Sequence, residues 1–334
     1  HVTEQAATRF RLERENRLLR RAIDYQRIHG PVVRESEQMQ ALLKMVERIA
    51  PTEAPVLITG ETGVGKGLFA KQIHAASDRS EQAFVHLNCG GLQEQLVESE
   101  LFGHEKGAFT GAVATKPGLF EVANRGTLFL DEVTELTQPM QANLLQVLDS
   151  GELRRVGGST LRQVDARIIA ATNKEIADEV ESGNFREDLF FRLNVVRFEI
   201  PPLRERRLDI RGLVELYIRR YGGEERSFAD ETLKVLEKYT WPGNVRELSN
   251  TIQRAILLSS NAELQPEDIP LPGAGARGKR SGRGGMPMSL KDVEREAIGR
   301  TLEHTDGNRA AAARLLGIDV KTLRTKIRTY DLAE

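Results

Sequence analysis

The stretch Val56-Leu-Ile-Thr-Gly-Glu-Thr-Gly-Val-Gly-Lys-Gly67 decides how the rest of the chain is interpreted. Its short apolar run predicts a strand, its glycines a tight turn, and the amphipathic residues 68–76 a helix. Such a turn directs backbone N–H groups inward, beside the positive N-terminal end of the helix, so it suits an anion. Lys66 adds a point charge for the outer phosphates of a nucleotide. The residues expected to contact the nucleotide here are Gly60, Glu61, Thr62, Gly63, Val64, Gly65, Lys66 and Gly67.

The last position of this pattern departs from the general P-loop, because Gly67 stands where Ser or Thr is usual. The usual hydroxyl ligand for Mg²⁺ is therefore missing. A Gly-rich turn that arose by chance is the alternative interpretation. The strand before the turn and the helix after it favour a phosphate site.

Length and composition predict several domains and a reducing environment. The 334 residues are too many for one ordinary core, so two or three domains are expected. The net charge of −1 argues neither for nor against nucleic acid. The single cysteine, Cys89, rules out an internal disulfide and fits the cytoplasm. The chain has no apolar run of membrane-spanning length, so no membrane association is expected.

From residue 35 to about 202 the chain alternates apolar strands with amphipathic helices. This alternation predicts an α/β fold, with a parallel sheet and helices on both faces. The candidate strands are 56–59, 84–87, 127–130, 167–171 and 196–200.

Two acidic residues follow the strand 127–130, at the sheet edge where the P-loop also lies. Asp131 is placed to hold Mg²⁺, directly or through water. Glu132 is placed to orient and deprotonate an attacking water. Paired acids at a strand end are common surface features, but the P-loop about 65 residues earlier makes this pair a strong signal.

The segment Glu105-Lys-Gly-Ala-Phe-Thr-Gly-Ala112 lies between these two sites and is poor in side chains. One interpretation is a mobile loop that offers Phe109 and Thr110 to a partner. The other is an ordinary turn with Phe109 in the core, and the stretch alone would favour it.

The chain resembles the bacterial sigma-54-dependent transcriptional activators, the NtrC-like enhancer-binding members of the AAA+ ATPases. The hexapeptide Gly107-Ala-Phe-Thr-Gly-Ala112 matches the hallmark loop of that family without a mismatch. The resemblance implies that this loop contacts sigma-54 in the polymerase holoenzyme, chiefly through Phe109 and Thr110. It also implies a second substrate-facing loop around Arg155. The loop residues concerned are Gly107, Ala108, Phe109, Thr110, Gly111 and Ala112.

The resemblance assigns further residues to the ATPase cycle. Asn88 resembles the asparagine that holds the catalytic glutamate inactive, and its amide at a strand end suits a hydrogen bond to Glu132. Without the family, Asn88 is equally well interpreted as a helix cap. Thr172 and Asn173 resemble sensor I, which reads the γ-phosphate.

Three arginines are also assigned by resemblance. Arg186 and Arg192 resemble the arginine fingers, which reach the ATP of a neighbouring subunit and so imply a hexameric or heptameric ring. On one helix they would point about 120° apart. Arg246 resembles sensor II, on a helix that Asn244 is expected to cap. Composition alone would leave Arg186 and Arg192 as ordinary surface arginines, and Trp241 is expected to be core.

The resemblance and composition divide the chain into five segments. They are a linker helix or coiled coil (1–29), the AAA+ α/β subdomain (30–202), a helical lid (203–269), a flexible basic linker (270–288) and a Fis-type helix-turn-helix domain (289–334). A helix over 319–330 is expected to enter the major groove of enhancer DNA, and the first helix of that domain to form a dimer. A small helical bundle without DNA binding is the alternative. The expected DNA-contacting residues are Lys321, Thr322, Arg324, Lys326 and Arg328.

Taken together, the sequence predicts an ATP- and Mg²⁺-dependent activator that opens the closed complex of the sigma-54 holoenzyme. The helix over 9–25 resembles linkers that follow phospho-receiver domains, which would place the protein in a two-component system. A DNA-binding regulator with a vestigial AAA+ domain, acting by occupancy, is the alternative. A motor for proteolysis or DNA replication is disfavoured by residues 107–112.

Overall fold

A computed structural model describes residues 32–91, 93–222 and 226–271, and in the C-terminal segment 298, 301–302, 305, 308–309, 312–313 and 320–330. The chain divides into two compact units near residue 275, and each is considered by itself. The expected linker helix 1–29 and nearly all of the expected basic linker 270–288 lie outside the described residues.

The first unit is built on a five-stranded parallel sheet with the strand order β2-β5-β8-β1-β9. This confirms the predicted α/β fold, and each of the five candidate strands forms within one residue at either end. The strands are β1 Val56–Thr59, β2 Phe84–Asn88, β3 Gly103–His104, β4 Lys116–Pro117, β5 Thr127–Asp131, β6 Glu152–Arg154, β7 Leu161–Gln163, β8 Arg167–Thr172, β9 Val196–Glu199, β10 Ser227–Phe228 and β11 Glu263–Leu264.

Helices cover both faces of this sheet. Apolar residues on successive strand positions therefore enter two different cores, one containing Leu57, Leu128 and Ala170, the other Ile58 and Phe129. Burial on both faces explains the almost continuous apolar runs in the sequence. The helices are α1 Glu37–Ile49, α2 Lys66–Ala75, α3 Glu94–Phe102, α4 Leu119–Val122, α5 Gln138–Ser150, α6 Ile176–Glu181, α7 Glu187–Leu193, α8 Leu208–Tyr221, α9 Asp230–Lys238, α10 Asn244–Leu258 and α11 Val320–Thr329.

The register of the sheet brings polar residues together at one edge. Asn88 lies opposite Asp131 at the ends of β2 and β5, and Thr59 lies opposite Thr172 at the ends of β1 and β8. Because all these strands are parallel, their carboxyl ends meet at the same edge. The P-loop leaves β1 at this edge, near the centre of the sheet.

The lid packs around its own apolar core, formed largely by α8 and α10. Trp241 is completely buried in it, and its indole N–H donates to the Leu236 carbonyl oxygen at 2.7 Å. The prediction that Trp241 belongs to the core is therefore confirmed. The lid is not wholly helical, since β10 and β11 form a short parallel ladder.

A buried polar contact joins the lid to the first helix of the sheet domain. Ser36 caps α1 by accepting from the Met39 N–H. Its own N–H and hydroxyl donate to the two carboxylate oxygens of Asp209 at 2.7 and 2.9 Å. Asp209 is fully buried, and a buried carboxylate is stable only when hydrogen-bonded in this way. This contact attaches the start of α8 to α1.

In the second unit, α11 covers most of the helix expected over 319–330. Leu323 and Ile327 of α11 pack with Ile298, Ala312 and Ala313 in a small apolar core. The dimer face expected on the first helix of this domain falls mostly outside the described residues. Among the helices the structure describes, none is long and apolar enough to cross a membrane.

Candidate nucleotide-binding site

The P-loop folds as a turn that only glycine tolerates well. Gly60, Gly63 and Gly65 have φ angles of 143°, 84° and 108°, in the region that side chains rarely adopt. Gly65 is the N-cap of α2, and a Cβ placed on it would meet no atom within 4 Å. The turn therefore borders open space at the N-terminus of a helix, which fits a phosphate group.

Lys66 is largely buried beneath this turn, with 8% of its surface exposed. Its ammonium donates to the carbonyl oxygens of Gly60 at 2.7 Å and Glu61 at 3.2 Å. Burial lowers the pKa of Lys66, as does the positive charge of Arg246, while the charges of Asp131 and Glu132 oppose the shift. The cation is thus held near both acids, where phosphate oxygens would replace the weaker carbonyl partners.

Glu132 has an unusual backbone conformation directly after β5. Its φ of 56° and ψ of 47° are left-handed, which is uncommon for a residue other than glycine. Its N–H donates to Oδ1 of Asp131 at 3.1 Å. Strained positions of this kind concentrate at functional sites. The left-handed conformation ends the extended backbone of β5 at this residue.

The residues present fit a nucleotide with a weakly ligated metal. Among the described residues, no three His, Cys, Asp or Glu side chains form a metal cluster. Asp131 is the acid that the sequence led us to expect at Mg²⁺, and Gly67 supplies no hydroxyl. Mg²⁺ is commonly bound by one or two carboxylates together with substrate phosphates and water. This donor set suits a metal that arrives with the nucleotide.

Asn88 does not make the hydrogen bond to Glu132 that the sequence led us to expect. Its Oδ1 accepts instead from the Gly90 N–H at 2.7 Å, and no hydrogen bond joins Asn88 to Glu132 in the part of the chain that the structure describes. A Cβ on Gly90 would lie 2.0 Å from Oε2 of Glu132 and 3.3 Å from Oδ1 of Asn88. The carboxylate therefore rests against the Gly90 backbone, a contact that sequence reasoning missed.

The two sensor I candidates have different surroundings. Asn173 is exposed, and its Nδ2 donates to the Thr62 hydroxyl at 3.0 Å, so it faces the P-loop. Thr172 is fully buried and shares a hydrogen bond of 3.0 Å with the Thr134 hydroxyl. Thr172 thus supports the segment after Glu132, whereas Asn173 is the member of the pair that faces the nucleotide side.

Arg186 and Arg192 are both exposed at the surface, but only Arg192 lies within α7. Arg186 is the N-cap of α7 with an extended backbone, so the 120° separation expected for two helical positions does not apply. Its guanidinium pairs with Asp188 at 2.7 Å. Arg192 lies in the last turn of α7, where it contacts Asp149 at 3.1 Å and the Leu148 carbonyl oxygen at 2.9 Å. Both side chains are more than one third exposed.

Asn244 does not cap α10, contrary to our expectation. It is the first residue of the helix, it has a φ of 52°, and Gly243 is the N-cap. Its side chain is fully buried and reaches the P-loop, where Nδ2 donates to the Thr62 carbonyl oxygen at 3.1 Å. Arg246, two residues later, is exposed and lies close enough to Lys66 to lower its pKa.

Residues 107–112 form a small loop closed by its own backbone. The Gly107 N–H donates to the Ala112 carbonyl oxygen at 2.9 Å, and the Ala112 N–H donates to that of Phe109 at 3.0 Å. The Phe109 ring is half-buried, edge-on to His104 at 5.0 Å, while Thr110 is exposed. Phe109 is therefore neither a core residue nor fully offered to a partner, because its ring rests on the base of an otherwise exposed loop.

Arg155 connects this loop to its neighbour. Its guanidinium donates to both carboxylate oxygens of Glu121 at 2.8 Å and to Oε1 of Glu105 at 3.0 Å. These acids hold the pKa of Arg155 above its usual value. A Cβ on Gly157 would lie 2.7 Å from that of Ala108, so the two loops touch. The Arg155 side chain thus lies between the loops, bound to carboxylates of its own chain.

The DNA-binding candidates lie on α11. Thr322 is exposed and Lys326 is half-buried. The side chains of Lys321, Arg324 and Arg328 lie outside the described residues, although their backbone forms the helix.

Comparison with known proteins agrees with this arrangement. Residues 32–199 match the sigma-54 interaction domain, 204–281 the AAA+ ATPase lid domain, and 289–330 the bacterial regulatory proteins of the Fis family. The chain is 43% identical over 319 residues to the transcriptional regulatory protein FlbD of Caulobacter vibrioides, covering 90% of this chain and 70% of that protein.

The chain belongs to the sigma-54-dependent activators, within the AAA+ ATPases. It is also 45% identical over 301 residues to the regulator ZraR of Klebsiella oxytoca, covering 89% of this chain and 68% of that one. Over 342 residues it is 40% identical to the regulatory protein AtoC of Escherichia coli, covering 99% and 74%.

Solved structures of a related protein contain nucleotides. This sigma-54-dependent activator superposes on NtrX from Brucella abortus in complex with ADP, with a TM-score of 0.72 and 31% identity over 98% of this chain and 75% of that one. The same protein in complex with ATP gives a TM-score of 0.71 and 31% identity, over 98% and 74%. The fold described here is therefore one that holds adenine nucleotides in a relative.

The contact between Gly90 and Glu132 gives a first prediction. In Gly90→Ala the added Cβ overlaps Oε2, so the carboxylate must move while the P-loop keeps its shape. We expect ATP hydrolysis to fall roughly 10- to 100-fold, with nucleotide affinity nearly unchanged. Phosphate release and binding of a fluorescent ADP measure the two effects. Gly222→Ala is the control, because Gly222 has a negative φ and lies away from the acids. Hydrolysis at the unmodified rate in Gly90→Ala would contradict the role of this contact.

Proposed function

We propose that this activator hydrolyses ATP and uses the cycle to open the closed complex of the sigma-54 RNA polymerase holoenzyme, from enhancer DNA in the cytoplasm. The observation that carries the proposal is the convergence of Lys66, Asp131 and Glu132 at one sheet edge, joined through a single helix to the loop 107–112. The occurrence of ADP and ATP complexes in a relative supports nucleotide binding.

The proposed chemistry follows from the positions of the side chains. Lys66 and the P-loop amides bind the phosphates, and Asp131 would hold a Mg²⁺ that would neutralise part of their charge. Glu132 takes the proton of a water that attacks the γ-phosphorus, and the bond to the β-phosphate oxygen breaks to give ADP and phosphate. Loss of such a base typically costs ~10²–10⁴-fold in rate. These three side chains argue against a vestigial domain acting by occupancy alone.

The proposed link to the partner runs through α3. Just after β2, Gly90 donates its N–H to Asn88 and lies against the Glu132 carboxylate. Shortly afterwards the chain enters α3, which ends at Phe102, directly before the base of the loop at Gly103. Leu101 and Phe102 are buried, so the end of this helix is firmly packed. A shift of the Glu132 carboxylate would therefore reach the loop through one packed element.

Variants of Arg192 and Arg186 test whether hydrolysis requires a ring of subunits. We propose that Arg192, whose side chain is 48% exposed, reaches the ATP of a neighbouring subunit. Arg192→Ala and Glu132→Gln subunits should then each be inactive alone. Mixed subunits should recover part of the activity, since some interfaces then combine an intact Arg192 with an intact Glu132. Phosphate release from titrated mixtures measures the recovery. Full activity of isolated Arg192→Ala protein, or no recovery at any ratio, would contradict hydrolysis in trans. Arg186→Ala should behave like Arg192→Ala.

The loop gives a separate prediction about the partner. Thr110 is exposed and, with Phe109, lies outside the nucleotide site, so Thr110→Ala should leave folding, DNA binding and most ATP hydrolysis intact. Binding to sigma-54 in the presence of ADP–aluminium fluoride should be lost, together with open-complex formation. Pull-down with sigma-54 and a transcription assay measure these effects. Thr115→Ala, at the loop base, is the matched control for altered loop closure. Normal open-complex formation by Thr110→Ala would remove the main support for the sigma-54 assignment.

A further inference from the structure

The lid binds three consecutive carbonyl oxygens of the P-loop. Asn244 Nδ2 donates to Thr62 at 3.1 Å, the Arg246 N–H to Gly63 at 3.3 Å, and Arg206 Nη2 to Val64 at 2.7 Å. In a trans peptide the C=O and the following N–H point in opposite directions. Holding these carbonyls toward the lid therefore turns the N–H groups of Gly63, Val64 and Gly65 away from it. The Val64 N–H donates to the Glu61 carbonyl oxygen at 3.4 Å, within the turn, which leaves the N–H groups of Gly63 and Gly65 for phosphates.

Asn244 is the centre of this contact. Its Oδ1 accepts from the Leu203 N–H at 2.8 Å, and its Nδ2 donates to Oε2 of Glu61 at 3.0 Å as well as to Thr62. The side chain is fully buried, and its left-handed backbone is one that Asn tolerates better than most residues. A Cβ on Gly63 would lie 2.4 Å from the Gly243 carbonyl oxygen, so lid and P-loop backbones are in direct contact here.

A second lid residue, Arg204, also binds Glu61. Arg204 donates to its two carboxylate oxygens at 2.9 and 2.7 Å, in a bidentate pair. The hydrogen bonds from Arg204 and then Asn244 lower the pKa of Glu61. Arg206, unlike Arg204, is buried, with 4% of its surface exposed. The second P-loop residue is therefore bound through its side chain, and the third to fifth through their carbonyls.

We propose that Glu61 and Asn244 are positioning residues, which hold the P-loop amides in the phosphate-binding orientation only while the lid is docked. The inference rests on the nucleotide binding proposed above and adds a reciprocal coupling to it. A nucleotide bound to oriented amides stabilises the docked lid, and undocking of the lid weakens the hold on the phosphates by the same factor. Movement of the lid thus becomes the route by which ADP leaves.

The test replaces the Asn244 amide by a carboxylate, and then the Glu61 carboxylate by an amide. Asn244→Asp keeps the acceptor for Leu203 and tolerates the backbone, but it loses the donor and faces the carboxylate of Glu61. We expect the affinity for a fluorescent ADP to fall roughly tenfold or more. The KM for ATP should rise more than kcat falls. Glu61→Gln combined with Asn244→Asp restores a donor and an acceptor across the contact and should recover most of the affinity.

Thr232→Val is the matched control, because it removes a buried hydrogen bond of 2.9 Å to Leu264 within the lid, away from the P-loop. It should lower the melting temperature without changing ADP affinity or the ADP-induced rise in melting temperature. Should Asn244→Asp not fold, Arg204→Gln provides the same test at a side chain that is 40% exposed.

Unchanged ADP affinity in Asn244→Asp, an equal loss in Thr232→Val, or no recovery in the double variant would each overturn the inference. If Asn244→Asp does not fold, unchanged affinity in Arg204→Gln would overturn it. These results are distinct from failure of the proposed function, in which the unmodified chain itself would bind neither ADP nor ATP.

Discussion

The burial of β1 near the centre of a parallel sheet is the constraint on which the rest of this structure depends. Val56, Leu57 and Ile58 are completely buried, with helices on both faces and a strand on either side. The turn that follows them is therefore held at a fixed place on the carboxyl edge, with Lys66 at the start of α2. The other candidate residues of the site are arranged around that turn.

Two parts of the protein lie next to the P-loop, the end of the sheet on one side and the lid on the other. On the sheet side, the ends of β2 and β5 bring Asn88, Gly90 and Glu132 together, and α3 leads from them to the loop 107–112. On the lid side, Asn244 and its neighbours bind the P-loop directly. The site thus connects to two parts of the protein, the loop 107–112 and the lid.

The loop itself is closed at its base by charge rather than by apolar packing. Arg155 binds Glu105 and Glu121, and the contact between Gly157 and Ala108 joins the second loop to the first. Because these acids come from either side of residues 107–112, Arg155 joins the segments that flank the loop. Within the loop, Phe109 packs against His104 and Ala108 against Gly157. This arrangement combines a rigid base with an exposed Thr110.

The sequence alone predicted the strands and the nucleotide site, because glycine turns and buried parallel strands leave strong local patterns. It did not predict which hydrogen-bond partners the polar side chains have across the fold. Asn244 was expected to cap its helix, but it lies 183 residues from Glu61 and binds it. Asn88 accepts a hydrogen bond from the Gly90 N–H and, among the residues that the structure describes, makes none with Glu132. Arg186 is the N-cap of α7 and does not lie within the helix. A glycine two positions after Asn88 was a signal for close approach that could have been used.

In the function proposed here, nucleotide state controls the loop 107–112 through the sheet edge. Hydrogen–deuterium exchange, measured with ADP and with ADP–aluminium fluoride, tests it most directly, since the amides of Gly107 and Ala112 are bonded within the loop. We expect the exchange rates of residues 105–115 to differ between the two states, and those of β1 and β8 to be the same in both. Identical exchange of the loop in both states would contradict it.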